Sequence, residues 1–303
     1  MPTSRRTFIR NSALAVAGTR LLSPEWLAAE KKKKELTGVQ LYSVRDDMRK
    51  DPAGTLKALA DMGYKYVEHA NYVDRKFYGY PAAEFRKLLD GLGLKMPSGH
   101  TVMGKQHWDE ANKDFTDRWK YTVEDAATCG QLYVISPSLE AGLRKNLDDL
   151  KRFMDVFNKS GELCRKSGML FGYHNHDFEF SEKIGDKTIH DIIMENTDPK
   201  LVIHQLDIGN LYNGGATALE VAKKWPGRFQ SMHVKDEIKA TSGNERFEST
   251  ILGTGIVPVK QVIDIGRKSA GTIHFIIEQE SYQGKTPLDS VKEDLRIMKG
   301  WGY

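Results

Sequence analysis

The sequence predicts a single α/β domain, a (β/α)8 TIM barrel over residues 36–303, and three observations predict it. Short β-like runs alternate with amphipathic helical stretches eight times in one unbroken series. Glycine follows many of the helical stretches, and short loops precede the strands, which is the punctuation of βα units. No Pro/Ser-rich linker divides the chain. The rival architecture, a doubly wound nucleotide-binding sheet, lacks its signatures here, with no GxGxxG after the first strand and no GxxxxGK[ST] anywhere.

The elements follow in order. The first strand is expected over residues 39–44 (VQLYSV), with a helix over 52–62 closed by Gly63. The second strand, 66–69, ends in Glu68 and His69 and leads to a helix over 82–92 closed by Gly93. The third, 94–101, ends in His100 and is followed by a long helix over 108–129 closed by Gly130. The fourth, 132–136, stops before Pro137, and its helix runs over 147–167. The last four strands lie within 169–180 (MLFGYHNHDFEF), 201–210 (LVIHQLDIGN), 229–236 (FQSMHVKD) and 272–280 (TIHFIIEQE). Their helices are expected over 188–195, 218–224, 259–268 and 288–299. The run Leu252-Gly253-Thr254-Gly255 between the seventh and eighth strands reads as a turn before it reads as a phosphate cradle.

Composition narrows the function. A chain of 303 residues with 40% hydrophobic content can bury a full core. Its formal charge of +4 is small beside 45 basic and 41 acidic residues, and part of it sits in Arg5, Arg6, Arg10 and Lys31 to Lys34. The body of the fold is therefore near neutral and offers no basic stripe for nucleic acid. Cys129 and Cys164 fall on helices far from any CxxC spacing and read as small buried hydrophobes.

Residues 1–35 read as a targeting segment with a charged lead-in. Ser4-Arg5-Arg6-Thr7-Phe8-Ile9-Arg10 precedes a short apolar run, Ala13 to Gly18, too short to span a bilayer, and it resembles a twin-arginine signal. That resemblance implies export to the periplasm after folding and no membrane anchor once the signal is cleaved. Cleavage near Ala15-Val16-Ala17 or Leu27-Ala28-Ala29 suits the pattern.

Four consecutive strands pass from apolar to chemically loaded within a few residues, as barrel strands do when they deliver groups to an active site. Asp207, His233 and Glu278 are oxygen and nitrogen donors suited to one divalent metal such as Mn, Co, Zn or Mg. A fourth ligand is expected from strand five, from His174 or His176, with Glu179 an outlying alternative. Lys235, two residues after His233, would stabilise an oxyanion, bind a substrate hydroxyl, or pair with Asp236. Glu68 and His100 end strands two and three at the same mouth and are expected to contact substrate hydroxyls, with Glu179 and Asn210 beside them. His190, His204 and His274 lie before the strand ends or on helices and are expected to be structural.

Tyr173-His174-Asn175-His176, Leu206-Asp207-Ile208-Gly209-Asn210, Met232-His233-Val234-Lys235-Asp236 and Ile277-Glu278 resemble the sugar phosphate isomerase/epimerase superfamily. The likeness spans nearly all the chain after Leu36. Its members have a xylose isomerase-like barrel and include inosose dehydratase, endonuclease IV and tagatose/psicose 3-epimerases. The resemblance places the family's aspartate of strand six on Asp207, its histidine of strand seven on His233 and its glutamate of strand eight on Glu278. The epimerases carry a glutamate on strand five, and the nearest position here holds His174.

That departure shapes the expected chemistry. A symmetrical 3-epimerase needs two carboxylates on opposite faces of an enediolate. One base, Glu278 or a strand-five histidine such as His174, beside a Lewis acid is enough to remove a proton α to a ketone. A leaving group β to that ketone would then turn the enzyme into a lyase or dehydratase. The Tyr173-His174-x-His176 pattern is closer to the inosose dehydratase branch. The expectation is a metal-dependent isomerase, epimerase or lyase acting on a small-molecule carbohydrate, a keto-sugar or keto-glycoside, with no nucleic-acid partner and with homo-oligomerisation left open. The alternative is an exported carbohydrate-binding protein that has lost catalysis.

Overall fold

The computed structural model describes residues 36–241 and 243–303, so the leader expected over residues 1–35 lies outside the described residues. Eight parallel strands close into a barrel in chain order: β1 (Leu36–Gln40), β2 (Tyr66–His69), β3 (Lys95–His100), β4 (Tyr133–Ser136), β5 (Leu170–His174), β6 (Val202–Asp207), β7 (Ser231–Val234) and β8 (His274–Ile277). Helices follow the strands: α1 (Pro52–Met62), α2 (Ala82–Gly91), α3 (Asp117–Cys129), α4 (Leu147–Lys166), α5 (Ile189–Asn196), α6 (Ala218–Lys224), α7 (Val259–Ile265) and α8 (Pro287–Gly300). Their ends are set by local chemistry. Asp51 caps α1 by accepting from Gly54 N at 2.9 Å, with Pro52 in the first turn, and Asn146 and Thr188 cap α4 and α5 in the same way.

The barrel interior is layered. Gly172 of β5 faces Ile135 of β4 and Ile203 of β6, and a Cβ there would sit 3.1 Å from both side chains, so glycine lets this apolar layer close. Above it the pairing register sets Gln40 beside Glu68, Glu68 beside Ser98, and His174 beside Gln205 beside Ser231. Asp207 and His233 pair one step higher, at the C-terminal mouth. An apolar base beneath a polar layer is what the loaded strand ends implied. Among the described residues no helix is long and apolar enough to cross a membrane.

Several element boundaries differ from expectation. The first strand lies at Leu36–Gln40, and residues 41–44 form a 3-10 turn leading into a short helix, Arg45–Lys50. The Gln40 side chain accepts from Tyr42 N at 3.2 Å and so turns the chain out of the sheet where the apolar run promised more strand. The helix expected from Trp108 starts at Asp117. Ahead of it Trp108–Asp109 and Asp114–Phe115 make a hairpin, whose turn Asp109 holds by accepting from Ala111 N and Asn112 N. A small three-stranded sheet within 72–81 and two hairpins, pairing 183–184 with 187–188 and 236–239 with 247–250, decorate the barrel.

The glycine run 252–255 is a turn wrapped around a carboxylate of this chain. Asp236 accepts from Gly253 N (2.8 Å), Gly255 N (2.9 Å) and Val257 N (3.0 Å), and also from its neighbour Glu237 N (2.9 Å). A Cβ on Gly255 would come within 2.4 Å of Asp236 Oδ1. The anion the loop holds is thus its own. Cys129 and Cys164 are buried free thiols, and burial pushes both pKa values up to about 12.

Candidate active site

Period-two alternation aims Gln205 and Asp207 of β6 into the barrel mouth, and the same rule brings His174 of β5, His233 of β7 and Glu278, just past β8, to one place. One donor atom from each of His174, Asp207, His233 and Glu278 lies within 4.8 Å of all the others, and all four residues are buried. His100 joins His174 and His233 in a second, overlapping group, its ring stacked 5.1 Å from that of His233.

Glu68 organises this cluster from below. It is fully buried, accepts from Gln40 Nε2 at 2.8 Å and from the Ser98 hydroxyl, and lies 3.1 Å from His100 Nε2. Its Oε1 stands 2.6 Å from His233 Nε2 and its Oε2 2.8 Å from Gln205 Nε2. An ionised carboxylate only accepts, so His233 carries a proton on Nε2 and Gln205 must point its amide nitrogen at Glu68. Gln205 Oε1 is then left to accept from His100 Nε2 (2.7 Å) and His174 Nδ1 (3.0 Å). The result is that His174 Nε2 and His233 Nδ1 face the cluster, each 3.9 Å from Asp207 Oδ2. Glu68 thus fixes a proton on His233 Nε2 directly and orients His174 Nδ1 through Gln205.

Lys235 is buried among carboxylates. Its Nζ lies 3.2 Å from Asp207 Oδ2, 2.9 Å from Glu278 Oε2 and 2.6 Å from Glu280 Oε1, and it donates to Asn210 Oδ1 at 3.0 Å. The pairing with Asp236, one of the alternatives the sequence left for Lys235, does not form, because Asp236 turns the other way into the 252–257 loop. Burial opposes the lysine's charge, yet Asp207, Glu278 and Glu280 override it and hold its pKa well above the usual range. Burial likewise opposes charge on His233, but Glu278 and Glu68 on its two ring nitrogens raise its pKa to about 10. Burial would raise Glu278, and Lys235 and His233 instead keep it ionised.

The donor set suits a divalent cation. Asp207 Oδ1 is occupied by Gly209 N and Asn210 N, both at 2.8 Å, while its buried Oδ2 faces the histidine nitrogens at 3.9 Å and the Lys235 ammonium at 3.2 Å. Two imidazole nitrogens and two carboxylates, with no thiolate, match Mn, Co, Zn or Mg better than a soft metal. Glu68 and Gln205 would supply the outer hydrogen bonds that fix such ligands.

The remaining residues expected at the site separate into two groups. His176, Asn210, His100, His174 and Glu278 line a cavity of about 1050 Å3 at the mouth. His176 lies outside the four-donor cluster; its ring packs edge-on to His174 at 5.0 Å and its buried Nδ1 has no hydrogen-bond partner. Glu68 and Glu179, expected to touch substrate, do not line the cavity. Glu68 is sealed beneath the histidines. Glu179 accepts from Tyr173 Oη at 2.5 Å and from His176 N at 2.9 Å, where burial lifts its pKa to about 7. It braces the His176 backbone from behind. His190, His204 and His274 are buried, His190 stacked 4.6 Å from Phe180 and His204 bonded to Thr197 Oγ1 at 3.1 Å. Gln205, Gln40 and Glu280 escaped the sequence reading. Gln205 sits two residues before Asp207 on a strand, and that spacing alone puts both on one face.

A family model, the xylose isomerase-like TIM barrel, matches residues 56–301, and the chain belongs to that family. An inosose dehydratase of Clostridium perfringens is 35% identical over 160 residues, which are 50% of this chain and 42% of that protein. The chain thus matches less than half the length of this curated relative. An inosose dehydratase of Clostridium botulinum is 27% identical over 249 residues, covering 76% of this chain and 78% of that one. Among solved structures, a sugar phosphate isomerase/epimerase from Parabacteroides distasonis superposes with a TM-score of 0.74 at 26% identity, over 88% of this chain and 98% of its own. The IOLI protein with a binding zinc atom has a TM-score of 0.67 at 12% identity, over 88% and 97%, a likeness of fold alone.

Proposed function

We propose that this member of the xylose isomerase-like family is a divalent-metal-dependent enzyme of the sugar isomerase, epimerase or lyase type. It removes a proton α to the ketone of a keto-sugar or keto-glycoside. The observation that carries the reading is the convergence of His174, Asp207, His233 and Glu278 within 4.8 Å at the C-terminal mouth, with both histidines turned by one buried carboxylate to face the cluster. His174, Asp207, His233 and Glu278 would hold the ion, which when bound polarises carbonyl and hydroxyl oxygens of the substrate.

The chain's own groups supply the rest. Glu278 reaches the cavity as a carboxylate, and His174 and His176 line the same wall; one of them takes the α-proton. The electron pair left on carbon moves toward the carbonyl oxygen as an enediolate. Lys235, held protonated by three carboxylates, contributes positive charge beside that developing anion. Return of the proton gives an isomer or epimer. Expulsion of a β-oxygen substituent gives an unsaturated ketone, and the inosose dehydratase likeness together with the histidine on strand five supports that second outcome. Arg5 and Arg6 in the leader support a twin-arginine export route and a periplasmic place of work.

The test combines elemental analysis of untreated protein with NMR of a 3-keto-glucoside in deuterated buffer. About one Mn, Co, Zn or Mg per chain and deuterium entering the carbon next to the ketone are expected, and the product spectrum separates epimer from eliminated ketone. The absence of both metal and exchange would replace this reading with a carbohydrate-binding protein.

A further inference from the structure

The cavity is larger than the chemistry requires. About 1050 Å3 lies just above the range of roughly 300–1,000 Å3 typical of small-molecule sites, and a single sugar ring uses a fraction of it. The four-donor cluster belongs to β5 to β8. The cavity continues across the mouth to the loops after β2 and β3, which face β6 and β7 in a closed eight-strand barrel.

That far lobe has its own character. Six large hydrophobic residues are exposed among those described; Val73, Val102 and Tyr121 of these line the cavity here, and Tyr42 lines it from the turn after β1. Solvent-exposed aromatics gathered at one concave site are binding groups more often than packing leftovers. The wall is also built to be rigid. Asp125 accepts from Tyr72 Oη (2.6 Å), Arg75 Nε (2.9 Å) and Arg75 Nη2 (2.7 Å), and the Arg75 guanidinium lies 4.3 Å over the Tyr121 ring. Asp74 and Arg75 hold positive φ angles of 50° and 61°, a strained turn kept in place by these bonds. Beside the aromatics stand hydrogen-bonding side chains, Asn71, Gln106 and Arg118.

We infer that this lobe is a second sugar subsite: the substrate is a two-ring glycoside, one ring carrying the ketone at the donor cluster and the other stacked on the tyrosines. Aromatic faces for the C–H side of a pyranose, interspersed with donors and acceptors for its hydroxyls, are the chemistry of carbohydrate recognition. The inference rests on the proposed function for the first ring and adds the second.

Two measurements separate them. In turnover, kcat/KM for a 3-keto-disaccharide is expected to exceed that for 3-keto-glucose by at least about tenfold, and Tyr121→Ala is expected to cut that ratio by about tenfold. Tyr121 is half exposed, so its loss leaves the core intact. Equal kcat/KM for both substrates, or a ratio untouched by Tyr121→Ala and Gln106→Ala, overturns the subsite while leaving the function standing. Calorimetry with unoxidised cellobiose and glucose gives a readout independent of catalysis. Tighter binding of cellobiose, lost in Tyr121→Ala, upholds the subsite even where neither keto-sugar is turned over; identical binding of both sugars overturns it.

Discussion

Glu68 Oε1 and His233 Nε2 lie 2.6 Å apart, joining strands two and seven across the barrel through residues 165 positions apart in the chain. Both are fully buried, so the contact is a charge-assisted bond shielded from water. Its effect is directional. It spends the Nε2 proton on Glu68 and leaves Nδ1 toward Asp207 and Glu278. Glu68→Gln is expected to weaken metal binding about 10–100-fold, because the amide no longer forces that tautomer or the Gln205 orientation. Competition for the metal with a calibrated chelator measures it; unchanged affinity would show that Glu68 serves folding alone.

Lys235 and a bound cation would draw on the same carboxylates. With the ammonium within 3.2 Å of Asp207, Glu278 and Glu280, replacing it by methionine leaves three acidic groups crowded together. Removing one partner of a buried pair costs about 3–5 kcal/mol. Lys235→Met is therefore expected to lower the melting temperature in chelator, and added Mn or Zn is expected to raise it by more than in the wild type. Differential scanning calorimetry with and without metal checks this, and an equal metal-induced rise in both proteins would place the ion elsewhere.

Asp236 gives a stability prediction outside the donor cluster. Its carboxylate collects four backbone N–H groups, three of them from residues 253–257. Asp236→Ala strands those donors, each at about 1–3 kcal/mol if no water replaces the carboxylate. A loss of about 3 kcal/mol or more in urea unfolding is expected. A loss under 1 kcal/mol would mean that the loop refolds around water.

Much of this arrangement was legible in the chain, and the reasons are particular. The strands ending at His174, Asp207, His233 and Glu278 announced themselves by the switch from apolar to donor residues, and parallel order alone made them converge. The alternation that identifies Asp207 also marks Gln205, a neutral residue that carries no chemistry until its neighbours are known. Glu179 misled because the strand stops at His174: past that point the chain turns into a one-turn helix, Phe178–Ser181, and strand periodicity no longer says where a side chain faces. Trp108 misled because a two-residue hairpin is too short for any period to show. Lys235 and Asp236 are adjacent but lie past the end of β7, and each is claimed elsewhere, Lys235 by Asp207, Glu278 and Glu280 and Asp236 by the backbone N–H groups of residues 253–257, which is why they do not pair.

Asp294 of α8 provides a pH prediction remote from the donor cluster. It accepts from Leu252 N at 2.9 Å, its other oxygen is buried without a hydrogen bond, and burial raises its pKa from 3.8 to about 7. A carboxyl with a raised folded-state pKa is bound to its proton more tightly in the folded state than in the unfolded one. Its stabilising contribution is full below pH 3.8 and is lost as pH climbs through about 7. The ceiling is about 4 kcal/mol at 1.36 kcal/mol per unit. Asp294→Asn keeps an acceptor for Leu252 N and cannot ionise, so its stability relative to the wild type is expected to rise between pH 4 and about pH 7 and to level off above it. Groups common to both proteins cancel in that difference. Urea unfolding at four pH values across this window measures it, and a difference that stays flat would mean that Asp294 remains ionised in the folded protein.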